Sequence, residues 1–233
     1  MKAVLFDLDG TLLPMDQEVF VKDYLKRMAA FLAPHGYDPE RFVKALWAGI
    51  GAMMKNDGKA KNEDVFWRVF NQVLERDARR DSALFDEFYR GEFQKSRESC
   101  GFQPAAAPAV REIRAMGYRV ILATNPLFPA IATQSRIRWA GLEPEDFELI
   151  TTYENARFCK PNPEYYREIL GKLNLDASDC LMVGNDVTED MITEKLGMRV
   201  FLLTDCLINR SGADISRYQR GSFPELLQYI RSL

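Results

Sequence analysis

The chain opens on Met1-Lys2-Ala3-Val4-Leu5-Phe6-Asp7-Leu8-Asp9-Gly10-Thr11-Leu12-Leu13. Ala3 to Phe6 is a short apolar run that reads as a buried strand. Side chains alternate along a strand, so Asp7 and Asp9 at its C-terminal end point the same way. Two carboxylates held on one rim repel each other unless a cation or a proton is shared between them. The pair therefore needs a chemical partner elsewhere in the chain.

The 233 residues are 47% hydrophobic, enough for a sizeable buried core, in one large domain or in a core with an insertion. The formal net charge of −3 and the lack of any like-charge block give no footprint for nucleic acid. No apolar run approaches the ~20 residues of a membrane span. Met1-Lys2 before a short strand lacks the apolar core of a signal peptide, so a cytoplasmic protein is expected. Cys100, Cys159, Cys180 and Cys206 are scattered with no C-x-x-C pair, which reads as reduced thiols rather than zinc or disulfides. Cys159 reads as a packed thiol rather than a redox-sensitive one. The only histidine, His35, lies in the loop-like Pro34-His35-Gly36, which disfavours Ser-His-Asp, Cys-His and multi-histidine metal chemistry.

Two textures alternate along the chain. Residues ~15–102 carry no convincing strand but four helical stripes. Asp16 can cap the first, with Phe20, Tyr24, Met28, Phe31 and Leu32 on one face. Asp38-Pro39 opens the second, Asn62 can cap the third, and Leu84 to Phe93 mark a fourth. Short loops make these a bundle, and its Met and aromatic stripe reads as core. From Phe102 onward strands and helices alternate, with Pro104 and Pro108 marking the linker: a helix at Val110–Met116, strands at Tyr118–Ala123, Phe147–Thr151, Cys180–Val183 and, as the last strand, Arg199–Leu203, and helices between them, including Thr188–Leu196. That alternation implies an α/β fold, a Rossmann-like parallel sheet in a three-layer α/β/α core. The first strand needs this sheet for partners. The core is therefore expected to be discontinuous, residues 1–14 with 103–233, and residues 15–102 to be an inserted all-helical cap.

Ligands of open parallel sheets bind beyond the carboxyl ends of the strands. Those ends carry Asp7, Asp9, Gly10 and Thr11, then Thr124 and Asn125, then Thr151 and Thr152 leading to Lys160-Pro161, then Gly184, Asn185, Asp186 and Asp190. One lysine, several hydroxyls and several carboxylates suit phosphoryl transfer. A phosphate dianion does not approach naked carboxylates, but Mg²⁺ can bridge them through oxygen ligands. Lys160 supplies fixed positive charge, Thr124 and Asn125 supply hydrogen-bond donors, and the backbone N–H groups after Asp7, at Leu8 and Asp9, can add more. An ionised Asp7 needs no base to act as nucleophile. Asp9 can protonate the leaving oxygen and later activate water.

This constellation resembles the haloacid dehalogenase superfamily, in its phosphatase form. It matches D-x-D-G-T at Asp7 to Thr11, a strand-end threonine at Thr124, a lysine before proline at Lys160, and an acidic fourth motif from Gly184 to Asp190, over the whole chain. The resemblance implies that Asp7 attacks phosphorus to form an aspartyl-phosphate. It implies that Asp9 is the general acid and base with its carbonyl on Mg²⁺, that Thr124 and Lys160 hold the phosphate, and that the fourth motif completes the metal site. It also implies that dehalogenases and phosphonate-cleaving relatives lack an acid at the position of Asp9, which leaves a small phosphorylated metabolite as substrate.

One departure from the family pattern stands out. Aspartate usually follows the glycine of the fourth motif; here Asn185 does, and Asp186 comes next. Either Asn185 ligates through its amide oxygen, or Asp186 takes the metal; the charged ligand binds Mg²⁺ more strongly. Asp190 then pairs with Lys160 or holds a metal water. The loop Lys55 to Lys61 between the second and third helices offers Lys55, Asn56 and Lys59 as candidate substrate-reading residues, or is a solvated turn. A phosphomutase on the same fold, or a non-catalytic phosphate- or metal-binding module, are the alternatives. Oligomeric state is not legible.

Overall fold

A computed structural model describes residues 1–233. Strands β1 (Ala3–Phe6), β2 (Arg119–Leu122), β3 (Leu149–Ile150), β4 (Cys180–Gly184), β5 (Arg199–Leu203) and β6 (Gln219–Gly221) form one sheet in the order β3-β2-β1-β4-β5-β6. Every pairing is parallel. The chain builds the sheet to one side through β2 and β3, then returns and builds the other way from β4. The order therefore reverses between β1 and β4, and the crevice beyond their carboxyl ends is where such sheets bind ligands.

The sequence alternation in the strands sorts residues onto two buried faces. Val4, Phe6, Val120, Leu122, Leu181 and Val183 pack with Val110 of α5 (Ala106–Ala115), Ile137 of α6 (Ala130–Trp139) and Leu226 of α8 (Phe223–Arg231). Ala3, Leu5, Ile121, Met182 and Leu202 pack on the other face with Tyr165, Tyr166 and Ile169 of α7 (Pro163–Leu173). All four β1 residues are fully buried, as a central strand covered on both sides requires.

Between β1 and α5 the chain is wholly helical in its regular structure: α1 (Gln17–Leu32), α2 (Pro39–Met54), α3 (Asn62–Leu74), α4 (Ser82–Arg90) and connecting 3₁₀ turns. Asp16 caps α1 by accepting from the N–H groups of Glu18 and Val19, and Asp38 caps α2 from Arg41 N–H. The bundle interior is aromatic, with edge-on pairs such as Phe42–Phe70 at 5.8 Å and Tyr24–Phe93 at 5.8 Å. Phe20, Tyr24, Phe42, Phe70 and Phe88 belong to the same continuous apolar cluster as the Val4–Phe6 face of the sheet. The outgoing and returning chains meet at Met15 and Cys100, where Gly101 N–H donates to Pro14 O at 2.7 Å.

Several elements differ from the sequence reading. The fourth helix stops at Arg90, and Phe93 lies in the 3₁₀ helix Glu92–Ser99, because Gly91 breaks the run at φ −108°, ψ −94°. Asn62 does not cap α3; Lys61 holds that position, and the Asn62 amide donates instead to Phe158 O and Cys159 Sγ. The helix expected at Thr188–Leu196 is a turn followed by the 3₁₀ helix Met191–Leu196, since Asp186 Oδ1 draws in the N–H groups of Thr188 and Glu189. Pro108 lies inside the first turn of α5 rather than in a linker, where its missing N–H costs nothing. Arg199–Leu203 is not the last strand: β6 and α8 follow it.

Candidate active site

The carboxyl ends of β1 and β4 bring Asp7, Lys160 and Asp190 into one buried group. Lys160 Nζ donates to Asp7 Oδ1 at 2.7 Å and to Asp190 Oδ1 at 2.6 Å. The lysine side chain is wholly buried. Burial alone works against its charge, but the carboxylates of Asp190 and Asp7 outweigh it and push the lysine well above its ordinary range. Asp190 Oδ2 accepts the N–H groups of Asn185 at 3.1 Å and Asp186 at 3.0 Å, so it also fixes the loop after β4. Lys160 enters the group from a loop whose Lys160–Pro161 peptide bond is cis.

The other oxygen of Asp7, Oδ2, takes only a long 3.3 Å contact from Thr11 Oγ1. The single Thr11 hydroxyl hydrogen has a nearer acceptor in Asn185 Oδ1 at 3.0 Å, and Asn185 Nδ2 donates to Cys206 O at 2.6 Å. Asn185 is thus committed at both ends of its amide. Asp186 spends Oδ1 on Thr188 N–H (2.7 Å) and Glu189 N–H (2.9 Å) and leaves Oδ2 without a hydrogen bond. Gly10 stands at φ +88°, and a Cβ there would land on the Asn185 amide. Only glycine lets the β1 turn and the β4 loop approach so closely.

Around Asp7 lie donors with no protein acceptor: the N–H groups of Leu8 and Asp9 and the hydroxyl of the buried Thr124. Thr124 is held through its own carbonyl, which accepts from Thr151 Oγ1 at 2.7 Å and Tyr165 OH at 2.8 Å. Asn125 Nδ2 reaches Glu189 Oε2 at 3.3 Å. Burial raises the Glu189 carboxyl above its usual range.

Asp9 is paired with a residue the sequence reading missed. Arg136 of α6 is fully buried and donates through Nη1 to Asp9 Oδ2. Its guanidinium lies 4.2 Å from the Phe128 ring centroid. Burial raises the Asp9 carboxyl and Arg136 opposes the shift; the net direction is upward. Arg136 shares a helix face with the buried Ala132 and Trp139, spaced at i−4 and i+3, and that was the signal available for it.

The specificity candidates do not converge on this group. Both Asn56 amide hydrogens are donated, to Ala60 O at 2.9 Å and Asn62 Oδ1 at 2.8 Å, and its oxygen accepts from Gly58 N–H. Lys55 is exposed, and the exposed Lys59 pairs with Asp57. Asn56 builds its own turn, which packs Gly58 against Phe158.

No three acidic, histidine or cysteine side chains converge into a ready-made metal cluster. Mg²⁺ does not ask for one: it takes one or two carboxylates, with waters and substrate phosphate filling its octahedron. The oxygens here fit that need. Asp7 Oδ2 and Asp186 Oδ2 are lightly engaged, the Asp9 carbonyl accepts no N–H, and Asp9 Oδ1 is a buried acceptor without a partner.

Comparison with known proteins agrees with this architecture. The pyrophosphatase PpaX of Bacillus velezensis is 24% identical over 201 residues, covering 84% of this chain and 80% of its own. A crystal structure of 2-haloacid dehalogenase from Pseudomonas syringae pv. Tomato superposes with a TM-score of 0.66 at 24% identity, over 100% of this chain and 99% of its own. A HAD phosphatase from Thermococcus onnurineus superposes at 0.59 and 20% identity, over 99% and 98%. Residues 1–193 match the hydrolase family described as haloacid dehalogenase-like hydrolase, and the chain belongs to that family.

Proposed function

We propose that this protein is a Mg²⁺-dependent phosphohydrolase that cleaves a phosphate monoester of a small metabolite through an aspartyl-phosphate on Asp7. The observation that carries the reading is the neighbourhood of Asp7. One oxygen is held by the charged Lys160, the other is nearly free, and unpaired donors at Leu8, Asp9 and Thr124 surround it. That arrangement suits a nucleophile facing a bound phosphoryl group.

In the first half-reaction Asp7 Oδ2 attacks phosphorus, the bond from phosphorus to the ester oxygen breaks, and Asp9 delivers its proton to the leaving oxygen. In the second, Asp9 takes a proton from water as the water attacks the aspartyl-phosphate, and the bond from phosphorus to Asp7 breaks to release inorganic phosphate. Lys160 and the Thr124 hydroxyl hold the phosphate oxygens, and Asp190 keeps Lys160 in place. Asp7, the Asp9 carbonyl and Asp186 would hold Mg²⁺, which would supply positive charge to offset the repulsion between the phosphate dianion and the carboxylates. Asn185, with both amide ends committed, orients the loop rather than ligating. Residues 15–102 act as a cap over the crevice.

The side chain of Asp9 favours this reading over dehalogenation. An alkoxide leaving group needs a proton; a halide does not. The test is phosphate release from 4-nitrophenyl phosphate and a panel of phosphorylated metabolites, with and without Mg²⁺. The expected result is Mg²⁺-dependent release, abolished by EDTA and in Asp7→Asn, with no chloride released from 2-chloropropionate. A folded wild-type protein that is inactive across the panel overturns the proposal.

A further inference from the structure

Between the helical segment and the sheet lies a cavity of about 170 Å³. Apart from Ser82, Asp86 and Pro129, every residue lining it is aliphatic or aromatic. Its one charged residue, Asp86, is paired with Arg90 at 3.2 Å. The walls come from α1 to α4, for example Met28, Ile50, Trp67 and Tyr89. The floor comes from Leu127 and Phe128, which follow the strand end carrying Thr124 and Asn125, and from Tyr153, which follows Thr151 and Thr152. Phe128 is also the ring on which Arg136 stacks, and Arg136 is the partner of Asp9. The chain of contacts from the Asp9 carboxylate to the cavity is therefore two side chains long.

We propose that this cavity receives the leaving group of the phosphate ester, and that this group is uncharged and aromatic or branched-aliphatic, of about the size of one substituted ring. The assignment rests on the phosphatase reading above. An apolar cavity of about 150 Å³ holds a benzene ring. A sugar hydroxyl set would find few free hydrogen-bond partners here, since the Tyr24 and Tyr89 hydroxyls bond each other at 3.0 Å, and a second phosphate would find no cation, only the Asp86 carboxylate. The lining thus selects against polyols and diphosphates and for an aryl or alkyl group. Asp9 protonates the ester oxygen, and the free alcohol or phenol departs.

The test compares kcat/KM for 4-methylphenyl phosphate, glycerol 3-phosphate and pyrophosphate in the wild type, Ile50→Trp and Met28→Phe. Binding of 4-methylphenol alone is measured in parallel by calorimetry, and inhibition by inorganic phosphate reports an intact site. The expected result is a preference for the aryl ester on the order of tenfold or more. A comparable loss for that ester and for 4-methylphenol binding is expected in the filled variants, with phosphate inhibition retained. Equal or better turnover of glycerol 3-phosphate or pyrophosphate, or filled variants that handle the aryl ester like the wild type, overturns the inference. Failure of the phosphatase reading shows differently, as no phosphate released from any of the three.

Discussion

Arg136 and Asp9 form an ion pair in which the guanidinium is wholly buried and Asp9 is its only carboxylate partner. Breaking a buried pair from one side leaves an uncompensated charge, at a cost of about 3–5 kcal/mol. Asp9→Asn leaves the wholly buried guanidinium, which cannot deprotonate, without its carboxylate and is expected to lose stability on that scale; Arg136→Met is expected to lose less, because the Asp9 carboxyl can take up a proton. The double variant Asp9→Asn/Arg136→Met is expected to be more stable than the sum of the two losses predicts. Denaturant midpoints of the four proteins measure the coupling; strictly additive losses would show that the pair does not act as a unit.

Lys160 offers a way to separate folding from chemistry. It stands between Asp7 and Asp190, so Lys160→Met leaves two buried carboxylates facing each other. The expected outcome is a loss of about 3–5 kcal/mol together with loss of turnover. Adding Asp190→Asn removes one of the charges and recovers part of the stability, but no turnover, because the cation proposed to hold the phosphate is still missing. Thermal melts and phosphate release on the same samples check both halves.

Cys159 adjoins Lys160 in sequence, yet its thiol faces a buried site and accepts from Asn62 Nδ2. Burial pushes it up to about 12, so it is a neutral thiol at neutral pH, and the thiolate is the reactive form. Iodoacetamide at neutral pH is expected to leave Cys159 unmodified in the native protein and to alkylate it once the chain is unfolded. Peptide mass spectrometry reads the outcome. Rapid native labelling would contradict the packed position.

The Glu148–Arg119 pair gives an acid-stability prediction. Arg119 donates to both Glu148 oxygens, at 2.7 and 2.6 Å, and these bonds lower the Glu148 pKa. A carboxyl lowered in the folded state adds stability above its unfolded pKa of about 4.3, and that stability is lost as pH falls through the folded value. The pair is partly exposed and screened by solvent, so the effect is at most about 1 kcal/mol. Glu148→Gln is expected to be less stable than wild type at neutral pH and to converge with it at acid pH. Urea midpoints across the acid range measure this, and a constant gap would contradict it.

Much of this structure was legible because it rests on local rules. Strand alternation sorts Val4 and Phe6 from Ala3 and Leu5, and the polar residues at strand ends locate Asp7, Thr124, Lys160 and Asp190. Asp16 and Asp38 cap their helices as residue type and position dictate. What was not legible depends on tertiary competition. Asn62 is a good cap by type, but the segment before Lys160 offers its amide other partners. Arg136 and the solvent-facing Arg138 differ in sequence only by the helix face that Arg136 shares with Ala132 and Trp139, a weak signal for burying a guanidinium. Gln219–Gly221 is a polar edge strand with no apolar pattern to announce it. By contrast α8 carried a readable signal, the reciprocal cap between Ser222 and Glu225, ahead of Leu226 and Ile230.

The central claim is that Asp7 carries the phosphoryl group, and an Asp9→Asn variant tests it most directly. With 4-nitrophenyl phosphate the leaving group needs no proton, so formation of the covalent intermediate proceeds, while its hydrolysis, which needs a base to activate water, slows. Acid quenching followed by peptide mapping is predicted to find the phosphoryl group on Asp7, in an amount that requires Mg²⁺. Phosphate release by the wild type, with no phosphoryl group on Asp7 in the quenched variant or with the group on another residue, would contradict the account.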